Sequence, residues 1–379
     1  MRYIGNKSKL LPFIGDFLRA HGILGGRALD AFSGTATVGS YLKAQGFSVV
    51  SCDIMTYSYV FQRAYIVPSA HPTFAGIRRE RPNRAGTSLQ ELFAELSAGI
   101  EPRESFITQN FSARAECTDG ERMYFTRDTA LRIDGVREQL ENWRQRGVLT
   151  DDEYYILLAA LIEATDAAAN TAGTYAAYLK SWQSNTRRPF QLSVPQRAVW
   201  DGLECQAHQG EINALIPSLG HFDLLYLDPP YNTRQYSGYY HIPELLARGW
   251  FNSGTMLRGK TGLIADHAQR SAWSSRGQCV PALEQLISSA DADHVVMSYN
   301  NEGLIPEAEI ERVFRTYGVS RSYRRVERRH ARYRADSDGP RRRYTADRVS
   351  ERLYYVRLRP RPRSLPRPRP PRPKTRAVT

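Results

Sequence analysis

The chain has 379 residues, of which 41% are hydrophobic and 11% aromatic, and this composition indicates a folded globular protein. No apolar run is long enough to span a bilayer, and the first residues, MRYIGNKSKLL, lack the apolar core of a secretory signal. We therefore expect a cytoplasmic protein with no membrane partner. The four cysteines are widely scattered, so they form neither a disulfide framework nor a paired metal-ligand motif, and we expect free thiols.

The net charge of +13 is unevenly distributed along the chain. Residues 321–379 contain 20 Arg and one Lys against three Asp and two Glu, which leaves residues 1–320 slightly acidic. A basic segment on a near-neutral body suits a polyanionic partner such as nucleic acid. Residues 360–379 are rich in Pro and Arg and cannot pack a core, so we expect a disordered tail that adds salt-sensitive affinity for nucleic acid.

Residues 1–66 predict one half of a nucleoside-binding sheet. An amphipathic stretch at Leu10–Leu18 precedes a strand and small-residue turn at residues 27–35, a helix at Val38–Gln45 and a second strand at Phe47–Asp53. A strand, a glycine turn, a helix and a strand ending in a carboxylate are typical of a doubly wound α/β sheet. The turn reads FSGTATVG and lacks the three glycines of a pyrophosphate cradle, which favours a single adenosine over a dinucleotide.

Three residues of this half are candidate ligand contacts. The turn at Gly34 lets the backbone approach a bulky ligand. The carboxylate of Asp53 is placed to bind both ribose hydroxyls, and that of Asp30 to meet an ammonium group. Helix capping or surface charge explains either acid alone equally well, so these two residues do not decide the function.

Residues 67–195 interrupt the α/β pattern. Helices are predicted at Ser88–Leu96 and Phe125–Trp143, and a largely apolar third helix begins at Asp151. The segment is too long to be a loop. We therefore expect a helical insert beside the functional site.

The α/β pattern resumes in residues 196–359, where the most informative stretch is LLYLDPPY. A buried strand ends at Asp228, because the consecutive prolines Pro229 and Pro230 cannot continue a sheet ladder. The prolines fix a carboxylate and the Tyr231 ring on a stiff turn at the carboxyl end of a strand, where open α/β sheets bind ligands.

This turn suits chemistry on the exocyclic amine of a nucleobase, which is a poor nucleophile because its lone pair is delocalised into the ring. The carboxylate of Asp228 and the carbonyl of Pro229 can each accept one N–H bond, which directs the lone pair at an electrophile. The Tyr231 ring can stack on a base flipped out of a duplex. A strand-ending turn with a helix-capping Asp is the alternative, since a four-residue match alone is weak evidence.

The remaining elements complete the sheet. After the tyrosine-rich polar loop 232–240 we predict a helix at Ile242–Trp250 and a buried strand at Asp293–Asn300. Segments 320–333 and 350–358 alternate as a terminal antiparallel pair.

With these pieces in place, the chain resembles the N6-adenine-specific DNA methyltransferases of the Dam-like group, in particular those of restriction–modification systems. RYIGNKSKLL resembles their N-terminal cofactor motif, LDAFSGTATVG their glycine turn, and DPPYNTRQYSGYYHIPE their catalytic motif. MSYNNEGLI, GERMYFTRDTALRID and ANTAGTYAAYLK also resemble family segments, in the family's order. The resemblance leaves out only the basic tail.

The resemblance implies a Rossmann-like class I S-adenosylmethionine-dependent methyltransferase sheet with a helical insert. Residues 1–66 and 196–359 would form the catalytic domain, 67–195 the target-recognition insert and 360–379 the tail. Cofactor contacts are then expected from Tyr3, Lys7, Asp30, Phe32, Ser33, Gly34, Thr35, Asp53 and Glu211, and catalysis from Asp228, Pro229, Pro230 and Tyr231. One departure is Ala36, which stands where the family usually has a glycine.

The expected substrate is double-stranded DNA and the expected methyl donor is S-adenosylmethionine. Methyl transfer from a sulfonium requires no metal and no strong base, so His241 and Glu244 are assigned structural roles. We expect a monomer of prokaryotic or phage origin, with a cognate restriction endonuclease as a possible partner. N4-cytosine methylation, RNA adenine methylation and a catalytically silent DNA-binding module of the same fold stay open as alternatives, although Asp228, Tyr231 and Asp30 are all present.

Overall fold

The structure, a computed structural model, describes residues 1–80, 88–113, 121–251, 254–265, 269–331 and 348–360. In chain order, the strands are β1 (Gly26–Asp30), β2 (Phe47–Asp53), β3 (Ser112–Ala113), β4 (Phe125–Thr126), β5 (Gln206–Gln209), β6 (His221–Leu227), β7 (Leu257–Arg258), β8 (Leu263–Ile264), β9 (Asp291–Asn300), β10 (Arg324–Ala331) and β11 (Arg348–Arg357). The helices are α1 (Leu11–Ala20), α2 (Thr37–Ala44), α3 (Thr56–Tyr65), α4 (Ala75–Glu80), α5 (Leu89–Gly99), α6 (Phe106–Phe111), α7 (Arg127–Gln145), α8 (Asp151–Ala168), α9 (Ile212–Leu215), α10 (Tyr236–Tyr239), α11 (His241–Arg248), α12 (Cys279–Ser289) and α13 (Glu307–Tyr317).

Seven of these strands form one sheet in the order β10-β11-β9-β6-β1-β2-β5. Strands β5, β2, β1, β6 and β9 are parallel, while β11 is antiparallel to both β9 and β10. The chain moves outward from β1 to β2 and β5, and then returns to β6 on the other side of β1. Ligands bind outside the carboxyl ends of the strands at such a reversal. The α/β fold class predicted from the sequence is confirmed.

Side chains alternate between the two faces along each strand, and helices cover both faces of the sheet, so both are buried. In β6, Leu224 and Tyr226 join a hydrophobic cluster with helices α1, α2 and α3, while Leu225 and Leu227 join a second cluster with α9, α12 and α13. The sheet is therefore the middle layer of three. This arrangement holds the strand ends, and the loops that follow them, in fixed positions.

The helices α4 to α8 lie in the segment 67–195 that interrupts the sheet. Capping boxes begin two of them: the Ser88 hydroxyl pairs with Glu91 at α5, and the Thr150 hydroxyl with Glu153 at α8. Helix α8 is buried over most of its length, as the sequence predicts, and its apolar side chains share one cluster with α1, α2 and α3. The insert is thus packed against one face of the sheet, and its separate role in recognition stays a prediction.

Several sequence predictions differ from the structure. The stretch 232–240 is not simply a polar loop, because α10 forms within it and Tyr239 and Tyr240 are buried. The sequence analysis did not predict β5, α3, α12 or α13. The terminal antiparallel pair is confirmed as β10 and β11.

The thiols of Cys52, Cys205 and Cys279 are free, while Cys117 and nearly all of the predicted tail, 361–379, lie outside the described residues. Within the described part of the chain, no helix combines the length and the apolar character that crossing a bilayer requires.

Candidate active site

A cavity of about 910 Å³ opens at the carboxyl ends of β1, β2 and β6, where the strand order reverses. It is lined by every predicted site residue except Pro229, namely Tyr3, Lys7, Asp30, Phe32, Ser33, Gly34, Thr35, Asp53, Glu211, Asp228, Pro230 and Tyr231. The structure therefore brings the two predicted halves of the site into one space. Pro229 is buried.

The glycine turn after β1 is fixed by two carboxylates. The amide of Gly39 donates to Asp30 at 2.9 Å, and the amide of Gly34 donates to Asp53 at 2.8 Å. The amide of Met55 donates to the other Asp53 oxygen at 2.9 Å. Each Asp53 oxygen thus accepts one backbone bond and keeps a lone pair for a ligand hydroxyl.

The turn also explains why a glycine is usual at the position of Ala36. Ala36 has φ 58° and ψ 22°, which is the left-handed region, where a Cβ atom costs about 1–2 kcal/mol. Its methyl group is fully buried, so hydrophobic contact offsets part of that cost. Helix α2 begins directly after it, and the amide of Ser40 donates to the Ala36 carbonyl at 3.0 Å.

On the opposite wall, the catalytic turn carries a buried charge network. The ammonium of Lys7 lies 3.1 Å from Asp228 Oδ1 and 2.8 Å from Glu351 Oε1. The hydroxyl of Tyr231 contacts Lys7 and donates to Asp228, and it lies 3.2 Å from Glu351. The hydroxyl of Ser298 donates to the same Glu351 oxygen at 2.6 Å. One lysine thus bridges two carboxylates, one directly after β6 and one on β11.

Burial sets the protonation of these acids. It raises the pKa of Asp228 to about 6, an effect that Lys7 opposes and Glu351 reinforces. Burial, followed by the Asp228 charge, raises the pKa of Asp30 to about 7. Burial lowers the pKa of Lys7, but Asp228 and Glu351 more than offset this, so the ammonium keeps its charge.

Residues 3–7 line the cavity together with the glycine turn and the catalytic turn, and they pack against aromatic rings. Tyr3 stacks on Tyr240 with ring centroids 4.8 Å apart, and its hydroxyl lies 3.3 Å from that of Tyr57. The Tyr240 hydroxyl accepts a bond of 2.7 Å from the amide of Ile4. These contacts hold residues 3–7 across the mouth of the β1 turn.

Comparison with known proteins agrees with this geometry. The family model of the D12 class of N6 adenine-specific DNA methyltransferases matches residues 3–263. The chain belongs to the D12 class.

Three relatives illustrate the extent of the likeness. The Type II methyltransferase M.NlaIII of Neisseria lactamica is 34% identical over 340 residues, which cover 89% of this chain and 93% of that protein. Modification methylase StsI of Streptococcus sanguinis is 32% identical over 84% of this chain and 47% of its own length. The Type II methyltransferase M.FokI of Planomicrobium okeanokoites is 31% identical over 94% of this chain and 52% of its own length. The chain thus spans nearly all of the first relative and about half of the other two.

Membership of the D12 class implies S-adenosylmethionine as the methyl donor, and the cavity of this methyltransferase fits such a cation. Four acids line it, Asp30, Asp53, Glu211 and Asp228, against one described base, Lys7, which is already paired. An excess of carboxylates disfavours a phosphorylated ligand and suits one that carries sulfonium and ammonium charges. The buried Ser33 hydroxyl, which has no hydrogen-bond partner among the described residues, adds a free polar atom to the lining.

Glu211 combines two roles that the sequence left open. Its carboxylate accepts a bond of 2.7 Å from the amide of Asn213 and so caps α9, yet the residue also lines the cavity. Burial raises its pKa. Its contact with the adenine amine of the cofactor stays a prediction.

His241 and Glu244 have the structural contacts that were expected. His241 is buried, its Nε2 lies 2.9 Å from the Thr261 carbonyl, and burial lowers its pKa to about 4. The Glu244 carboxylate accepts bonds from the Thr56 and Tyr57 amides and so caps α3, and it pairs with Arg248 at 2.6 Å.

Sequence reasoning missed several residues of the site. Glu351 and Ser298 belong to the charge network, and Gln235, Tyr236, Gln269 and Ser271 line the cavity. Gln235 and Tyr236 lie four and five residues after Tyr231, within the stretch DPPYNTRQYSGYYHIPE, so proximity along the chain was a usable signal. Nothing comparable marks Glu351, which lies 120 residues beyond Tyr231 and pairs with the site only through the sheet.

The one described group of three metal-ligand side chains, His221, Asp223 and Asp293, lies at the opposite edge of the sheet from the cavity. It therefore has no part in this site. The expectation that the reaction needs no metal stays a prediction.

Proposed function

We propose that this protein methylates the N6 amine of an adenine flipped out of double-stranded DNA, at a specific sequence. The observation that carries the proposal is that the Asp228–Tyr231 turn opens into the same cavity as the Asp30 and Asp53 turn. A base amine held at the first turn is thereby next to a ligand held at the second. Such proximity supplies much of the rate enhancement when no strong base is needed.

In this proposal, S-adenosylmethionine, when bound, supplies a methyl group on an excellent sulfonium leaving group. Asp30, Ser33 and the Gly34 turn hold its amino-acid part, and Asp53 holds its ribose. The carboxylate of Asp228 and the carbonyl of Pro229 accept the two N–H bonds of the target amine. They thereby direct its lone pair into the cavity.

Two residues support Asp228 in this role. The ammonium of Lys7, 3.1 Å away, favours the ionised carboxylate that can accept the N–H bond. The Tyr231 ring provides the stacking surface for the flipped base. After the transfer the nitrogen is positively charged, and its surplus proton passes to Asp228 or to water.

We further propose that the protein is the modification arm of a restriction–modification system, as the named relatives are modification methylases or Type II methyltransferases. The insert 67–195 and the segment 232–240 would read the DNA sequence. A cognate endonuclease, a monomeric state and a cytoplasmic location in a prokaryotic or phage-infected cell complete the proposal.

Long-read sequencing of DNA from a methylation-free host that expresses the protein tests the central claim. N6-methyladenine at one short motif is expected, with none when Asp228 is replaced by Ala although DNA binding is retained. N4-methylcytosine in its place would favour the alternative base. No modified base from folded wild-type protein would refute the proposal and favour an RNA substrate or a silent binding module.

A further inference from the structure

A second cavity, of about 900 Å³, adjoins the catalytic one and shares Gln235 and Gln269 with it. Four arginines line this second space, which we name the arginine cleft: Arg234, Arg248, Arg258 and Arg270. None of the predicted catalytic or cofactor residues lines it, although Arg234 lies within the stretch DPPYNTRQYSGYYHIPE. Because it lies beside the catalytic cavity, a single ligand can occupy both spaces.

Three of the four arginines carry charge that the described protein does not neutralise. The charge of Arg248 is neutralised by the buried Glu244, whose carboxylate lies 2.6 Å away. Arg234, Arg258 and Arg270 are exposed, and none of them forms an ion pair with an acid of the described residues. Among the described residues, the cleft therefore presents three arginines without an ion-pair partner to an anionic ligand.

Hydrogen bonds fix the wall between the two cavities. The Gln235 side chain accepts a bond of 2.9 Å from the amide of Ser271 and donates one of 3.3 Å to its carbonyl. Gln269 donates to Glu244 at 2.7 Å. Because Arg234 and Arg270 are the chain neighbours of the paired Gln235 and Ser271, their backbones are held side by side at the rim.

The hairpin of β7 and β8 carries the third arginine, Arg258, and is anchored at its turn. Arg122 of the insert donates to the Lys260 carbonyl at 3.0 Å and to the Gly259 carbonyl at 3.2 Å. His241, whose pKa burial lowers, contacts the Thr261 carbonyl. The hairpin is thus tied to both the insert and α11.

We propose that the arginine cleft binds the phosphodiester backbone of the DNA strand that carries the target base. A flipped nucleotide stays covalently bonded to a phosphate on each side, so the mouth of a base pocket must accommodate negative charge. Guanidinium groups on fixed backbones match phosphate oxygens with paired N–H bonds. This inference rests on the proposed function for the position of the flipped base.

The test is the salt dependence of duplex binding by single Gln variants of Arg234, Arg258 and Arg270 and by the triple variant. Each lost phosphate contact lowers the slope of log affinity against log salt by about 0.9. Raising the salt from 50 to 200 mM weakens binding by a factor of about 3.5 for each phosphate contact. The fold-loss of affinity over this range should therefore be about forty times smaller for the triple variant than for the wild type. Duplexes with and without the target motif should be affected alike.

Arg315→Gln is the matched control, because Arg315 is an exposed arginine on α13, where it pairs with Glu311. It changes the net charge by as much as each single variant and should leave the slope unchanged. Cofactor affinity, measured by calorimetry, should be the same in every variant, which shows that the fold is intact.

A wild-type slope in the triple variant would overturn the proposal, and so would weaker binding confined to one base pair of the motif, since that would indicate base readout. Binding needs no turnover, so this assay separates the two proposals. A reduced slope in a protein that methylates no adenine would support the cleft and refute the proposed function.

Discussion

Replacing Glu351 with Gln should move the acidic limb of the pH–rate profile to lower pH. The substitution keeps an oxygen that can accept bonds from Lys7 and Ser298 but removes the negative charge. That charge raises the pKa of Asp228, whereas Lys7 lowers it. In the Gln variant, the Lys7 ammonium forms an ion pair with Asp228 only. The pKa of Asp228 is then lower, and its carboxylate stays ionised in more acidic solution.

The distances set the magnitude of the effect. Lys7 Nζ lies 3.1 Å from Asp228 and 2.8 Å from Glu351, so the two carboxylate oxygens are at most about 6 Å apart. At an effective dielectric constant of about 20, two charges at that separation repel by about 3 kcal/mol. One pKa unit corresponds to about 1.4 kcal/mol, so we expect a downward shift of about two units from a starting value of about 6.

The converse variant is Lys7→Met, which keeps an unbranched side chain one atom shorter and removes its charge. The acidic limb should then move to higher pH, because Asp228 loses its cation and keeps the repulsion of Glu351. The other ionisable groups that face Asp228 are unchanged in both variants, namely Asp30, Tyr226, Tyr231, Tyr236 and Tyr299.

The assay is kcat/KM for methyl transfer to a motif-containing duplex between pH 5 and 9, with cofactor affinity measured in parallel. A purely structural role for Glu351 would lower the rate at all pH values and leave the midpoint of the limb in place. That result, or a shift of both variants in the same direction, would refute the electrostatic reasoning.

Three further predictions concern the cofactor turn. Ala36→Gly should change the free energy of unfolding in urea by less than about 1 kcal/mol. The relief of left-handed strain is offset by the lost burial of the methyl group and by the greater freedom of the unfolded chain. A loss of stability above about 2 kcal/mol would contradict this prediction. Gly34→Ala should weaken cofactor binding at least about ten-fold in calorimetry, since φ is +52° and the new Cβ would lie 2.9 Å from an aromatic ring of the cavity. Gly46→Ala, at φ +89° with open space around it, is the control that keeps affinity. Cofactor affinity should fall as the pH decreases from 7.5 to 5.5, and binding should release protons. A cationic ligand favours the ionised forms of Asp30 and Asp53, whose pKa values lie near 7 and 6. Calorimetry in buffers of different ionisation enthalpy measures the proton release, and proton uptake would contradict the prediction.

The central strands of the sheet could be predicted from the sequence because parallel strands buried on both faces are continuous apolar runs. The edge strand β5 could not, since QAHQ is short, polar and half-exposed, and it becomes a strand only by pairing with β2. Helices α12 and α13 were missed for a different reason. Each packs one face on the sheet and leaves the other exposed, so its apolar residues are spaced along the sequence and form no continuous apolar run.

The cofactor and catalytic turns were predictable because each lies at a strand end, where a local motif fixes its own geometry. The predicted acids did meet in one cavity, since β1 and β6 are neighbours in the sheet. The role of Lys7 was less predictable. The resemblance assigns it to the cofactor, while its ammonium lies between two carboxylates, one of which belongs to the catalytic turn.

The position of Glu351 shows why the rest of the site required the sheet. Strand β11 is inserted antiparallel between β9 and β10, and its register places Glu351 opposite Asn300, beside the Ser298 hydroxyl that it binds. A shift of one residue in that register would turn the carboxylate to the other face of the sheet, away from Lys7. The charge of the catalytic turn therefore depends on the pairing of the last strand, which no motif near Asp228 encodes.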